Sequence, residues 1–152
     1  MEETTEVVKQ FVVFRLLNED YGIDIQKVTT IEQIKPIARV PKTPQHIRGV
    51  INLRGDIIPI MDLRSRFNLP VEEETEESRI IIIKTEETSI GIIVDSVAEV
   101  LNLNEEAIEN VSGFSKDLDM DYIIGVGKAD DRIVTLLNIE NLVKMDSMMS
   151  SI

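Results

Sequence analysis

"FVVFRLLNEDYGIDIQKV" (residues 11–28) and "IIIIKTEETSIGIIVDSV" (80–97) align without a gap, and this repeat decides the fold. Phe11 meets Ile80, Phe14 meets Ile83, Arg15 meets Lys84, Gly22 meets Gly91 and Val28 meets Val97. Each copy reads as two short β segments. In the first copy they run from Phe11 to Leu16 and from Tyr21 to Ile25, around the polar turn Asn18-Glu19-Asp20. Ile23 and Ile25 alternate with Asp24 and Gln26, the two-residue period of a half-buried strand.

A second pair of stretches repeats in the same order. "IRGVINLRGDIIPIMDL" (47–63) aligns with "IIGVGKADDRIVTLLNI" (123–139), so that Gly49-Val50 meets Gly125-Val126, Ile57-Ile58 meets Ile133-Val134 and Asp62 meets Asn138. The first of these reads as a hairpin: Val50 to Leu53, a turn over Arg54-Gly55-Asp56, then Ile57 to Met61. Asp62 is placed to N-cap a short helix, Leu63 to Phe67, which stops before Pro70. Between the two β pairs, Pro36, Pro41 and Pro44 mark an irregular or edge segment. "PVEEETEES" (70–78) holds five glutamates and reads as a solvated connector between the halves. "NLNEEAIENV" (102–111) reads as a short helix capped by Asn104, with Glu105 and Glu106 favourably placed in its first turn. The tail "MDSMMSSI" (145–152) reads as frayed, or as methionines docked on a barrel. Four or five antiparallel strands in each copy suit a small barrel. A unit of about 60 residues buries only about 60% of its unfolded surface, so the two copies are expected to pack together and share a core.

Composition excludes several classes of function. A net charge of −12 opposes binding to a phosphate backbone, and six Phe and Tyr with no Trp are too few for base-stacking platforms. Zero cysteines remove disulfides, thiolate metal sites and thiol nucleophiles together. His46 is the single histidine, which cannot by itself make a zinc site or a catalytic triad, and it reads as a loop or hydrogen-bonded residue. "RGD" (54–56) reads as hairpin turn rather than adhesion motif, and the glutamates at 72–77 as linker rather than cation site. No apolar run is long enough to cross a bilayer, and the acidic start "MEETTEVVKQ" is unlike a signal peptide, so a cytoplasmic protein without membrane insertion is expected. Glutamate, isoleucine and the lack of cysteine hint at a heat-loving source. No cofactor, metal or catalytic constellation is expected.

The repeat breaks at the hairpin tip, where Leu53-Arg54-Gly55 faces Ala129-Asp130-Asp131. Arg54 is open to two readings: a solvated turn residue, or a directed contact using the rigid five-donor fork of arginine.

At "YGIDIQKV" (21–28), "GVINLRGDIIPIMDL" (49–63), "IGIIVDSV" (90–97) and "GVGKADDRIVTLLNIENLV" (125–143), the chain resembles the chemotaxis coupling protein family known as CheW. The resemblance covers residues 9–143 and implies a mainly β fold: two SH3-like five-stranded barrels around a shared hydrophobic centre, with short helices. The corresponding division is a first barrel with its helix at 9–70, the acidic connector at 71–79, a second barrel with the C-terminal helix at 80–143, and a tail at 144–152. It implies a non-enzymatic adaptor that joins the cytoplasmic tips of methyl-accepting chemoreceptors to the regulatory domain of the chemotaxis histidine kinase. No phosphotransfer, nucleotide-binding or receiver domain is expected beside it.

The family's receptor groove matches Ile25, Val28, Gly49, Ile80, Gly91 and Val100, together with Arg54. In relatives that arginine pairs with a glutamate, where this chain has Thr30. Either Glu32 replaces it, or Arg54 meets backbone carbonyls or the receptor directly. Ile37 and Ile57 match the family's kinase surface. Each residue also has a plainer reading: Ile25, Val28, Ile80 and Val100 as core, and Gly49 and Gly91 as backbone necessities. The second reading of the whole chain is a generic β-barrel module that binds a peptide or small ligand in another pathway.

Overall fold

The computed structural model describes residues 8–86, 88–110 and 122–144. Their order is β1 (Val8–Leu16), β2 (Glu19–Asp24), β3 (Val28–Gln33), β4 (Ile47–Leu53), β5 (Asp56–Asp62), α1 (Leu63–Arg66), β6 (Arg79–Lys84), β7 (Ser89–Val94), β8 (Ser96–Asn104), β9 (Ile108–Glu109), β10 (Ile123–Ala129), β11 (Arg132–Leu137) and α2 (Ile139–Lys144). The tail lies outside the described residues.

The two copies share their ladders as well as their sequence pattern. β1 pairs antiparallel with β2 as β6 does with β7, and β4 with β5 as β10 does with β11. A bulge interrupts the last two pairs at equivalent places, between Ile47 and Gly49 and between Ile123 and Gly125. The helix caps repeat too: Asp62 accepts from the Ser65 N–H and Asn138 from the Asn141 N–H. Two local readings shift. The β1–β2 turn is Leu17-Asn18, because Asp20 is drawn into the ladder opposite Arg15, whose Nε donates to it at 3.0 Å. The stretch after Asn104 forms a single 3-10 turn, Glu105–Ala107, before β9 resumes extended pairing with β10.

The sheets do not follow the halves of the chain. One sheet has the order β3-β6-β7-β5-β4 and the other β8-β1-β2-β11-β10-β9. The β6–β7 hairpin therefore belongs with β3, β4 and β5, and the β1–β2 hairpin with the C-terminal strands. Parallel pairs, β5 with β7 and β11 with β2, make the exchange. Each sheet thus draws strands from both of the intervals 9–70 and 80–143. Both sheets close on themselves. Ala38, downstream of β3, exchanges two 2.9 Å backbone hydrogen bonds with Val50 of β4, and β8 runs through its 3-10 turn into β9 against β10. Below, the first barrel is the sheet containing β3 to β5, and the second barrel is the other.

The unbroken apolar runs follow from this exchange. In β6, Ile80 and Ile82 fill the first barrel with Ile51, Ile58 and Ile60, while Ile81 and Ile83 point into a central cluster. In β1, Phe11 and Val13 fill the second barrel, while Val12 and Phe14 join the same central cluster. A strand buried on both faces cannot alternate with polar residues. The central cluster also takes Ile23, Met61, Leu63, Ile90, Ile92, Leu137 and Leu142, and so belongs to both barrels.

Charged contacts pin the junction. Arg64 of α1 donates twice to Asp95, at 2.8 and 2.5 Å, and Asp95 also accepts from the Leu17 N–H at 2.7 Å. Donating these hydrogen bonds to Asp95 raises the Arg64 pKa further above its already high value. Lys27 pairs with Glu140 of α2 at 3.2 Å. The acidic connector is fastened at several points: Arg48 binds Asp62 at 3.2 Å and Glu74 at 2.8 Å, Arg64 donates to the Pro70 carbonyl at 2.9 Å, and Arg79 donates to the Glu76 carbonyl at 2.7 Å, while the side chains of Glu72, Glu73, Glu76 and Glu77 stay exposed.

Gly49 has φ +147°, and a Cβ there would run into the Ala38 carbonyl oxygen. Barrel closure thus depends on this glycine. Gly49→Ala is expected to cost more than about 2 kcal/mol, read as a lowered midpoint in urea unfolding.

Candidate functional site

β3 begins from a 3-10 turn, Ile25–Lys27, whose cap Asp24 accepts the Gln26 N–H at 2.9 Å. Its ladder with β6 sets Val28 beside Ile83 and Ile31 beside Ile81. Paired residues share a face, so Val28 and Ile31 lie on the side of the first barrel that carries the central cluster. β8 repeats the arrangement, with Val97 beside Phe14 and Val100 beside Val12. Continuing the repeat alignment, Val28 corresponds to Val97 and Ile31 to Val100. In each pair the first residue is half-buried against the central cluster and the second is exposed, Ile31 at 40% and Val100 at 50%. Ile25 packs on the same cluster beside Val28. The core thus ends in two equivalent apolar margins. Ile31 went unnoticed in the sequence reading, although its alignment with Val100 was the signal that pointed to it.

Three other residues assigned to the groove are interior. Ile80 has no exposed surface and sits inside the first barrel. Gly91 is buried beside it, where a Cβ would come within 2.7 Å of Ile60 Cδ1 and 2.8 Å of Ile80 Cγ2. Gly49 is buried at the barrel closure. Packing and backbone geometry account for all three, and none of them presents an exposed side chain.

Arg54 lies at the tip of the β4–β5 hairpin with φ +54°, followed by Gly55 at φ +92°, and Asn52 Oδ1 accepts the Gly55 N–H at 2.9 Å. Asp130 at the equivalent tip has φ +55°. The same turn forms with either charge, so turn geometry does not require arginine. Among the described residues, Arg54 is exposed with no hydrogen bond or ion pair. Glu32 is occupied elsewhere, accepting from Thr30 Oγ1 at 3.0 Å and pairing with Lys35 at 3.7 Å. Neither Glu32 nor a backbone carbonyl holds the guanidinium, and its donors face solvent.

Ile57, the third residue after Arg54, is 64% exposed, and its repeat partner Ile133 is 65% exposed. Ile37 is half-buried against the interior of the first barrel. His46 is half-buried, with Nδ1 3.3 Å from Ser65 Oγ. Among the described residues, no group of three or more His, Cys, Asp or Glu is placed to hold a metal, and no helix is long and apolar enough to cross a membrane.

Two closed barrels around one core, with apolar margins between them, can be compared with known proteins. The CheW-like domain family matches residues 10–147. The chain belongs to this family. Chemotaxis protein CheW of Klebsiella aerogenes is 38% identical over 142 residues, covering 93% of this chain and 86% of that protein. Chemotaxis protein CheW of Bacillus subtilis is 35% identical over 145 residues, covering 95% and 92%. The crystal structure of the scaffolding protein TtCheW from Thermoanaerobacter tengcongensis superposes with a TM-score of 0.79 at 37% identity, covering 86% of this chain and 89% of that one. The mainly β fold of two barrels expected of a CheW-like chain is the fold observed.

Proposed function

We propose that this chain is a non-enzymatic adaptor that bridges methyl-accepting chemoreceptors and the chemotaxis histidine kinase, acting in the cytoplasm and recruited to membrane-associated receptor arrays. The observation that carries the proposal is that the exposed apolar side chains include Ile31 and Val100 at the margins of the shared core and Ile57 at a hairpin of the first barrel. One set, Ile31 and Val100 with Ile25 and Val28 behind them, lies at the margins of the shared core. It suits the apolar anchors of a receptor helix tip, each worth about 1.5 to 3 kcal/mol on burial. The other is Ile57 beside the hairpin tip, with Ile37 on the same barrel, as the kinase surface. Membership of a family whose relatives are named chemotaxis and scaffolding proteins supports the same reading.

In this reading the free donors of Arg54 are for the receptor. Arg54→Glu is expected to abolish receptor coupling, with the melting temperature and kinase affinity nearly unchanged. Unfolding of the variant would make Arg54 structural instead. The proposal itself is tested by calorimetric titration into the isolated regulatory domain of the chemotaxis kinase from the same organism. One-to-one binding with Kd on the order of micromolar is expected, and no binding up to roughly millimolar would remove the kinase from the account.

A further inference from the structure

Residues 33–55 hold five of the chain's 16 Lys and Arg and none of its 28 Asp and Glu. In a chain of net charge −12 this interval stands out as basic. It comprises the segment after β3, β4 and the hairpin tip, so the fold collects it on the first barrel. Lys35 is engaged by Glu32, and Arg48 by Asp62 and Glu74. Arg39 and Lys42 are exposed and have no hydrogen-bond or ion-pair partner among the described residues.

These two cations share a concave surface. Arg39 and Lys42 line one shallow cavity of about 530 Å³, and Arg39 also lines an adjoining one of about 410 Å³ with Ile37 and Arg48. The chain itself shows the complementary chemistry on this surface, since Glu74 of the connector already sits on Arg48 at 2.8 Å. Ile37 makes the basic surface continuous with the kinase face proposed above. We propose that Arg39 and Lys42 steer and orient the kinase's regulatory domain by engaging a carboxylate-bearing face on it. This inference rests on the kinase reading. A protein face suits the surface better than an anionic bilayer. Opposite charges attract here over a Debye length of about 8 Å, whereas an anionic plane also meets a chain of net charge −12.

The test compares two double variants of equal net charge, Arg39→Glu/Lys42→Glu and Lys9→Glu/Lys84→Glu, the latter at exposed positions outside the interval. Association with the isolated kinase regulatory domain is measured by stopped flow at about 50 and 500 mM salt, with melting curves as a check on folding. The Arg39/Lys42 reversal is expected to raise Kd about tenfold at low salt, mostly through a slower association rate, with the gap closing at high salt. The Lys9/Lys84 variant should stay within about twofold of wild type under both conditions. Should the first reversal disturb folding, Arg39→Gln/Lys42→Gln is to show a smaller loss in the same direction.

Equal losses in both charge-reversal variants would assign the effect to net charge and overturn the proposal, as would unchanged rates in the Arg39/Lys42 variant. So would sedimentation of the wild type with phosphatidylglycerol vesicles that is lost in that variant. If the wild type binds no kinase domain at all, the kinase reading falls and the inference with it. If the wild type binds and the reversal does nothing, the inference falls alone.

Discussion

Ile31→Asp combined with Val100→Asp is expected to weaken binding of a chemoreceptor cytoplasmic fragment by about a hundredfold or more, while the protein stays folded. Both side chains are substantially exposed, so a carboxylate at either place remains hydrated in the free protein. In the complex each change removes an apolar anchor worth about 1.5 kcal/mol or more and puts a charge where the receptor is to exclude water. Two such losses together exceed the roughly 2.7 kcal/mol that a hundredfold change in Kd requires. The comparison variant is Ile57→Asp combined with Ile133→Asp, which adds the same charge at two exposed positions. It should leave receptor affinity within about twofold and weaken the kinase instead. Isothermal titration of the three proteins against the same fragment decides the matter. Equal losses in the two variants would make the effect one of charge and not of place.

The second large effect is on stability. Ile80→Ala is expected to lower the free energy of unfolding by about 2 to 5 kcal/mol, a large share of a typical total of about 5 to 15. Ile80 is fully buried among Ile51, Ile58, Ile60 and Ile82, where the removed atoms leave a cavity that the closed sheet cannot easily collapse around. Receptor affinity per folded molecule should not change. Urea unfolding gives the first quantity, and titration at a temperature where the variant is fully folded gives the second. A stable variant with lost receptor affinity would return Ile80 to the binding surface.

These two predictions separate residues that looked alike in the sequence. Val28, Ile80 and Val100 are all apolar residues in strand segments, and a two-residue period tells inside from outside only where one face is wet. In "IIII" (80–83) every position is buried, so the pattern carries no direction, and Ile80 and Ile81 point to opposite sides. The repeat was the more informative signal. It placed the hairpins, both helix caps and the equivalence of Val28 with Val97, because each of these depends on local spacing. It was silent on the exchange of hairpins between sheets. Copies with the same local pattern can pair within a half or across halves, and only the packing of both faces of β1 and β6 against two different clusters selects the second. Arg54 shows the same division. The mismatch with Asp130 marked it as unnecessary to the turn, but the absence of a Glu32 contact depends on Glu32 being held by Thr30 and Lys35, which no spacing rule foretells.

The exposed margins and hairpin tips are where the proposed adaptor is to meet its partners. Its barrels are closed and filled, and its exposed apolar side chains lie outside them. Arg64 pairs with Asp95, in the link from β7 to β8, and Lys27, in the link from β2 to β3, pairs with Glu140 of α2.

The most direct test of bridging is co-sedimentation of the isolated kinase regulatory domain with a large assembly of chemoreceptor cytoplasmic fragments, with and without this protein. The account predicts that the kinase domain enters the pellet only when this protein is present, and fails to do so with the Ile31→Asp/Val100→Asp variant. Kinase domain that pellets equally without it, or that stays in solution although this protein pellets with the receptor, would contradict a bridge.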